Sequence, residues 1–231
     1  VRVAAGADGS AVAVWRGGEG ERGVIGASRF DGTSWSPPKE LSEGATGSGD
    51  VPQVAMSGET AVAVWRQDEP SGQVPVTATS EGGDWSDPVP MADPVERLGA
   101  PTVSTESGTT VAAWSADGEI MVSSRSGDGD FTAPGSIGSG AGDEDPRVAV
   151  GVDGRAILTW LQPDEESGSV RVAGASRSVA GTWSVPEVLS TYVPRLAVSG
   201  AVPAAASGGG IAVWREGSGV GARLVFADRW S

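Results

Sequence analysis

The sequence predicts an all-β fold, a five-bladed β-propeller with about four antiparallel strands in each blade. Three observations support this prediction: one short sequence motif occurs five times, the copies are evenly spaced, and Gly-rich turns separate them. Each copy is an apolar run that ends in tryptophan, namely Trp15, Trp65, Trp114, Trp160 and Trp214. A repeat of roughly 50 residues is typical of propeller blades, and propellers usually have about 4–8 of them.

The first two strands of each predicted blade form a hairpin. Strand A is a short apolar run, and strand B is the run that ends in tryptophan. A small polar residue followed by Gly lies between them, as in Asp8-Gly9 and Ser57-Gly58, and favours a two-residue turn. Both alternating faces of strand B are apolar or small, which predicts burial on both sides between neighbouring blades.

The outer two strands are less apolar. Strand C is expected to be half-exposed, as in residues 24–29, and strand D is expected to start at a second aromatic residue followed by proline, as in Trp35-Ser36-Pro37. Proline lacks a backbone donor, so strand D should be the blade edge. One domain, 1–231, is therefore predicted, and its last blade is expected to lack the outer strand. The five blades are approximately 1–50, 51–100, 101–145, 146–193 and 194–231.

Composition limits the classes of partner. The chain has 30 acidic residues against 16 Lys and Arg, for a net charge of −14, and its basic residues are not clustered. Binding of nucleic acid needs clustered Lys and Arg, so it is not expected. No apolar run approaches the ~18 residues of a membrane span, so membrane insertion is not expected either. Because the sequence starts at Val1 without Met, we expect a processed segment of a secreted or cell-surface protein.

The sequence contains no His and no Cys. Ser-His-Asp triads, imidazole proton transfer and thiol nucleophiles are therefore excluded. No phosphate-binding loop is present, and no pair of carboxylates shows a recognisable catalytic spacing. The sequence consequently predicts that the chain is not an enzyme, has no catalytic residues and needs no cofactor.

Three arginines directly follow strand B in three of the blades, namely Arg16, Arg66 and Arg215. Equivalent positions in a ring converge on one face, so these guanidinium groups could hold an anionic ligand together with Tyr192, the only tyrosine. The alternative is that they form structural ion pairs with nearby carboxylates.

The second set of tryptophans comprises Trp35, Trp85 and Trp183. Exposed aromatic rings at these positions could stack on sugar rings, and the alternative is that they only pack between blades.

Acidic residues in Gly-rich loops suggest a calcium site. The candidate ligands are Asp143, Asp145, Asp128 and Asp130, because Ca²⁺ prefers hard oxygen ligands. None has the spacing of an EF-hand, and solvated loop charge is the alternative interpretation.

Two turns carry a family resemblance. Residues 28–35, Ser-Arg-Phe-Asp-Gly-Thr-Ser-Trp, and residues 176–183 resemble a degenerate Asp-box, the turn of sialidase-like propellers between the third and fourth strands of a blade. Phe30 and Ser178 occupy the Asp position of that motif. Over nearly its whole length the chain also resembles exported repeat proteins of actinobacteria. The resemblance implies a propeller, whereas a fold alone does not imply a chemistry.

These observations predict a secreted or surface-associated binding module, lectin-like with a carbohydrate partner or with a protein partner. A sialidase-like glycoside hydrolase is the first alternative, and a structural spacer without a ligand is the second. Arginines gathered beside Tyr192 and a carboxylate would favour the hydrolase. Repeated pockets between blades with exposed tryptophan would favour the lectin.

Overall fold

The computed structural model describes residues 1–18, 23–43, 47–140, 145–164, 169–190, 193–194, 198–207, 209–216 and 225–226. Within these residues it contains strands and no helix, and the strands form five antiparallel sheets, one for each repeat. The all-β prediction is therefore confirmed. None of the described segments is a helix long and apolar enough to cross a membrane.

The strands follow the repeat in chain order. The first sheet contains β1 (Arg2–Ala5), β2 (Ala11–Gly17), β3 (Val24–Phe30) and β4 (Lys39–Glu40). The second contains β5 (Gly49–Ser57), β6 (Thr60–Glu69) and β7 (Gly72–Glu81), with β8 (Asp84–Trp85) and β9 (Val89–Pro90) both paired to β7. The third contains β10 (Thr102–Glu106), β11 (Thr109–Ala116), β12 (Glu119–Ser126) and β13 (Gly135–Ser139). The fourth contains β14 (Arg147–Val150), β15 (Ala156–Pro163) and β16 (Ser169–Arg177), with β17 (Glu187–Val188) and β18 (Val193–Pro194) both paired to β16. The described part of the fifth contains β19 (Val198–Ala206), β20 (Gly209–Glu216) and β21 (Val225–Phe226).

The predicted hairpin turns have the expected backbone. Ser107 and Gly108, between β10 and β11, have φ angles of 48° and 79°, as a two-residue turn with two left-handed positions requires. Gly9 and Gly154 also have positive φ, at 84° and 78°. Glycine adopts this region without the steric cost that a Cβ would impose.

The core consists of layers between consecutive sheets. Trp65 of β6 is fully buried and packs with Val12 and Val14 of β2, on the preceding sheet. Trp114, Trp160 and Trp214 are likewise buried in the layers that follow, each on the strand predicted to be strand B. Both faces of β6, β11 and β15 are accordingly buried. Each tryptophan thus fills the space between its own sheet and the one before it.

The first strands of consecutive sheets line the inside of the array. β5 contacts both β1 and β10, and β14 contacts both β10 and β19. On the first sheet, the face opposite the second sheet leaves Val3 61% exposed. On the fifth sheet, the face opposite the fourth leaves Val202 64% and Val213 39% exposed. Each of the two terminal sheets therefore exposes one apolar face. In the inner sheets the equivalent face is covered by a neighbouring sheet.

The predicted start of strand D is wrong in the first, third and fourth sheets. In the third, β13 begins at Gly135, after Phe131 and Pro134. Trp35 and Trp183 each form only an isolated bridge, with Phe30 and Arg177 respectively. The fourth strands β4 and β17 begin later, after the prolines that follow each tryptophan. The physical reason is that proline has no N–H to donate, so the ladder is interrupted there and resumes beyond it. The predicted loss of the last outer strand, including Trp230, lies outside the described residues.

Candidate functional site

Two of the predicted arginines meet at one carboxylate. Arg66 Nη2 lies 3.2 Å from Asp50 Oδ2, and Arg16 Nε lies 3.7 Å from Asp50 Oδ1. Arg16 belongs to the first sheet, whereas Asp50 and Arg66 face each other across the β5–β6 pair of the second. Asp50 therefore joins two sheets at the end where first strands begin and second strands end. We call this end of the sheets the arginine end.

A β-bulge positions the Asp50 carboxylate. The β5–β6 register shifts between Asp50 and Gln53, and Val51 in the bulge has a φ of 46°. The backbone N–H of Val51 donates to Asp50 Oδ1 at 2.7 Å. A β-branched residue with positive φ costs about 1–3 kcal/mol, and strain of this kind is common at functional sites. Asp50 is thus fixed by a strained backbone and by two guanidinium groups.

Arg66 extends the cluster to the third sheet. Its Nη1 donates to the carbonyl oxygen of Leu98 at 3.1 Å, just before β10. Its Nε is buried and has no hydrogen-bond partner, while about a quarter of the side chain is exposed. The guanidinium therefore retains a donor that neither Asp50 nor Leu98 uses.

Further polar side chains lie on or just before the first strands of the first four sheets. Arg2 Nε donates to Gln53 Oε1 at 3.2 Å, which links the first and second sheets. A small cleft nearby is lined by Gln53, Thr102, Asp145 and Arg147, among others. These residues come from the second, third and fourth sheets, so the arginine end carries guanidinium groups and carboxylates along the inner strands.

Asp145, a candidate calcium ligand, is hydrogen-bonded to the protein backbone. Its Oδ1 accepts a hydrogen bond from the backbone N–H of Ala100 at 2.8 Å, which fixes the segment that enters β10. Asp128 and Asp130 are exposed on the turn after β12, near the opposite ends of the strands. The described residues contain no group of three or more acidic side chains that could hold a metal ion. Asp143 lies outside the described residues.

The second set of tryptophans lies away from the arginines. Trp35 bridges to Phe30 at one end of β3, whereas Arg16 pairs with Ile25 near the other end of the same strand. The five residue steps from Ile25 to Phe30 correspond to about 17 Å of extended chain. Trp35 is 49% exposed, with its ring centroid 5.4 Å from that of Phe30.

Trp85 and Trp183 differ from Trp35 because they are half-buried and pack against inter-sheet clusters. The structure thus offers one exposed aromatic platform at the predicted positions it describes. Tyr192 and the side chain of Arg215 lie outside the described residues.

The Asp-box-like turn of the first sheet is held by Asp31, one residue after the motif's Asp position. Asp31 Oδ1 accepts the backbone N–H groups of Ser34 and Thr33, both at 2.8 Å. These bonds, led by the one from Ser34, lower the pKa of Asp31 below its ordinary value of 3.8. In the fourth sheet Ser178 Oγ accepts the N–H of Thr182 at 3.2 Å. Both turns therefore use a side-chain oxygen to organise the backbone before the tryptophan.

Asp50 and its surroundings are the part of this site that sequence inspection misses. Arg16 and Arg66 were predicted as site residues because each directly follows the repeated apolar motif of strand B. Asp50 lies just before Pro52, where the fourth repeat also has carboxylates, Glu144 and Asp145, and the bulge at Asp50 leaves no clear sequence pattern. The pair Asp50-Val51 before Pro52 is the only local signal.

The sequence matches no known family model and no curated protein. Solved structures, however, share the fold. NanB in complex with optactamide is 12% identical with a TM-score of 0.55, over 97% of this chain and 57% of that one. A GH130 protein, from a family of mannoside phosphorylases and glycoside hydrolases that target β-1,2-mannosidic linkages, is 12% identical with a TM-score of 0.50, over 99% and 84%. The GH93 α-L-arabinofuranosidase of Fusarium graminearum, solved with arabinobiose, is 13% identical with a TM-score of 0.50, over 94% and 74%.

This comparison corrects the prediction that the chain is not an enzyme. The proteins that share its fold include glycoside hydrolases and phosphorylases, which points toward an enzyme. The physical reason for the error is that glycoside hydrolysis commonly uses two carboxylates, so the lack of His and Cys does not exclude it. At 12–13% identity the likeness shows the fold, and the chain is therefore a β-propeller of the kind found in these carbohydrate-active proteins.

Proposed function

We propose that this protein is a sialidase-like glycoside hydrolase that holds its saccharide at the arginine end. The observation that carries the proposal is the position of Asp50 between Arg16 and Arg66, which come from neighbouring sheets. Carboxylates and guanidinium groups are the side chains that bind the hydroxyl and carboxylate oxygens of sugars. The fold shared with glycoside hydrolases supports the same conclusion.

Asp50 has the surroundings of a charged catalytic carboxylate. Two guanidinium groups and one backbone N–H contact the carboxylate and hold it in place, as a nucleophile, a base or an electrostatic stabiliser would need. The second carboxylate that hydrolysis requires is assigned to Asp145, whose contact with Ala100 holds it beside the cleft. A separation of about 5–5.5 Å between such groups accompanies retention, and about 6.5–9.5 Å accompanies inversion.

The arginines are assigned to binding. About a quarter of the Arg66 side chain is exposed, and Arg16 is half-exposed at 45%. Both can therefore donate to a ligand while still contacting Asp50. The chain as a whole carries a charge of −14, so a cluster of arginines is the part of the surface suited to acceptor-rich ligands.

A screen for hydrolysis tests this proposal. We expect the protein to release the chromophore from at least one member of a panel of aryl glycosides that includes sialosides, arabinofuranosides and mannosides. The matched variant Arg66→Gln should raise KM or lower kcat/KM by roughly 10-fold, because a charge-assisted contact is lost. Turnover that is unchanged in Arg66→Gln would place the active site elsewhere, and no turnover across the panel would overturn the assignment to glycoside hydrolysis.

A second candidate function is saccharide binding at the opposite end of the sheets. Trp35 favours it, because this ring is 49% exposed beside Phe30 and offers a flat apolar surface for a sugar ring. In this case the protein would bind glycosides of the same panel with a change in tryptophan fluorescence, and Trp35→Ala would abolish that change.

We also propose that the five sheets are the five blades of a closed ring in a secreted or surface-attached protein. The exposed faces of the terminal sheets support closure, because the equivalent two faces pack against each other wherever two sheets are consecutive. Val54 of β5 and Ala4 of β1 pack against the same cluster between the first two sheets. Val3 of the first sheet is equivalent to Val54, and Ala204 of the fifth sheet is equivalent to Ala4.

Cysteine cross-linking checks the closure, and the natural chain has no Cys to interfere. We expect Val3→Cys/Ala204→Cys to form an intramolecular disulfide under mild oxidation, because these positions meet if the ring closes. Each single variant serves as the control for intermolecular products. A double variant that cross-links only between molecules would contradict closure within one chain.

A further inference from the structure

A groove separates the second and third sheets at the ends of the strands opposite the arginine end. Its volume is about 380 Å³, within the range of small-ligand sites. One wall is formed by β7 and β9, and the other by the end of β12 and the turn that follows it. The groove shares no lining residue with the cluster around Asp50.

Arg125, at the end of β12, is an unsatisfied charged group in this groove. Its side chain is nine-tenths buried, with 8% of the residue exposed. Both Nε and Nη2 are buried and have no hydrogen-bond partner. The guanidinium carbon lies 5.5 Å from the centroid of the Phe131 ring, a cation–π contact that provides no acceptor. Leaving buried donors unpaired is costly, and more so for a charged group.

The repeat supplies an internal comparison. Arg177 occupies the same register position in the fourth sheet, opposite Ala156, as Arg125 does opposite Thr110 in the third. Arg177 Nη1 donates to the carbonyl oxygen of Gly154, in the preceding turn, at 3.0 Å. In the third sheet the equivalent carbonyl, that of Gly108, accepts the N–H of Gly127 at 2.7 Å instead. Arg177 Nε is also buried without a hydrogen-bond partner, so the two arginines differ in the carbonyl partner that Arg177 keeps and in the additional unpaired Nη2 of Arg125.

The charges around Arg125 define the ligand further. Burial lowers the pKa of Arg125, and the nearby carboxylates of Glu81 and Asp128 oppose that effect. Asp128 is exposed at the rim of the groove, where it can accept hydrogen bonds from a ligand's hydroxyl groups. Pro90 and Met91 on the facing wall add apolar surface. Asp130, also exposed, is a second carboxylate in the lining. The groove thus combines one buried cation, two rim carboxylates and an apolar wall.

We propose that this groove is a second ligand site, which binds a hexuronate through its carboxylate on Arg125 and its hydroxyls on Asp128. A carboxylate matches the planar guanidinium in two parallel hydrogen bonds and would satisfy the donors that the protein leaves free. The ring of a sugar acid has the apolar face that the Phe131 side of the groove accommodates. This site does not depend on the proposed hydrolysis at Asp50.

Calorimetric titration with galacturonate and glucuronate tests the proposal, with glucose as the uncharged analogue. We expect both acids to bind and glucose to bind at least roughly 10-fold more weakly, because the charge-assisted pair is absent. Arg125→Gln should lose the binding by a similar factor, while the matched variant Arg177→Gln should keep it. Comparing the free acids with oligogalacturonides shows whether the natural ligand is a monosaccharide or the end of a polymer.

The Nε–Hε resonance of Arg125 provides a second measurement in the unaltered protein. It should shift on addition of galacturonate and stay unchanged with glucose, whether or not Arg125→Gln folds. Equal binding of acid and glucose, or no shift of this resonance at saturation, would overturn the proposal. Because hydrolysis is assayed separately at Asp50, failure of either assignment leaves the other one open to its own test.

Discussion

Replacing Trp65 by Ala is expected to lower the free energy of unfolding by about 3–5 kcal/mol. Trp65 is fully buried in the layer between the first two sheets, against Val12 and Val14. Its Nε1 also donates to Gln67 Oε1 at 3.2 Å, and Gln67 is itself buried. The substitution therefore opens a cavity and leaves a buried amide oxygen without that donor.

Urea unfolding monitored by circular dichroism measures this effect through the midpoint concentration. Trp35→Ala is the matched control, because Trp35 is half-exposed and belongs to the turn, so its loss should cost about 1 kcal/mol or less. Similar midpoints for the two variants would show that the tryptophan of β6 is not a packing requirement of the inter-sheet layer.

Replacing Asp50 by Asn is expected to reduce kcat/KM by about 10²–10³-fold on whichever glycoside the protein hydrolyses. The amide keeps the shape of the carboxylate but removes the negative charge that Arg16 and Arg66 share. Stability should change by less than about 1 kcal/mol, since the ion pairs are 25–45% exposed and exposed pairs contribute little. The loss should therefore concern the chemistry and not the fold.

Steady-state kinetics and thermal unfolding of the same samples separate these effects. Asp117→Asn is a suitable control, because Asp117 lies at the same end of the sheets and accepts the backbone N–H of Arg97 at 2.9 Å, outside the Asp50 cluster. Full activity in Asp50→Asn, or an equal loss in Asp117→Asn, would remove Asp50 from the catalytic machinery.

The strands were predictable because their causes are local. Each short segment is determined by its own residues: strand B by the apolar run that ends in tryptophan, the turn before it by Gly, and strand C by the half-polar run that follows. The repeat supplies five copies of these patterns. Trp114 and Trp160 are buried where a residue repeated in every unit would be expected to pack. The outer strands were less predictable, because proline moves the hydrogen-bonded pairs beyond the aromatic residue that marks the turn.

The sequence by itself determined the class of fold, one antiparallel sheet for each repeat and the buried tryptophan layers, since these follow from short-range patterns of apolar and turn residues. Only the tertiary structure decided which charges meet. Asp50 lies at a bulge and reaches Arg16 on another sheet, and the carbonyl of Gly108 accepts the N–H of Gly127, whereas the equivalent carbonyl of Gly154 accepts Arg177. Such contacts join groups from different sheets or turns, and their geometry depends on backbone details that residue type does not encode.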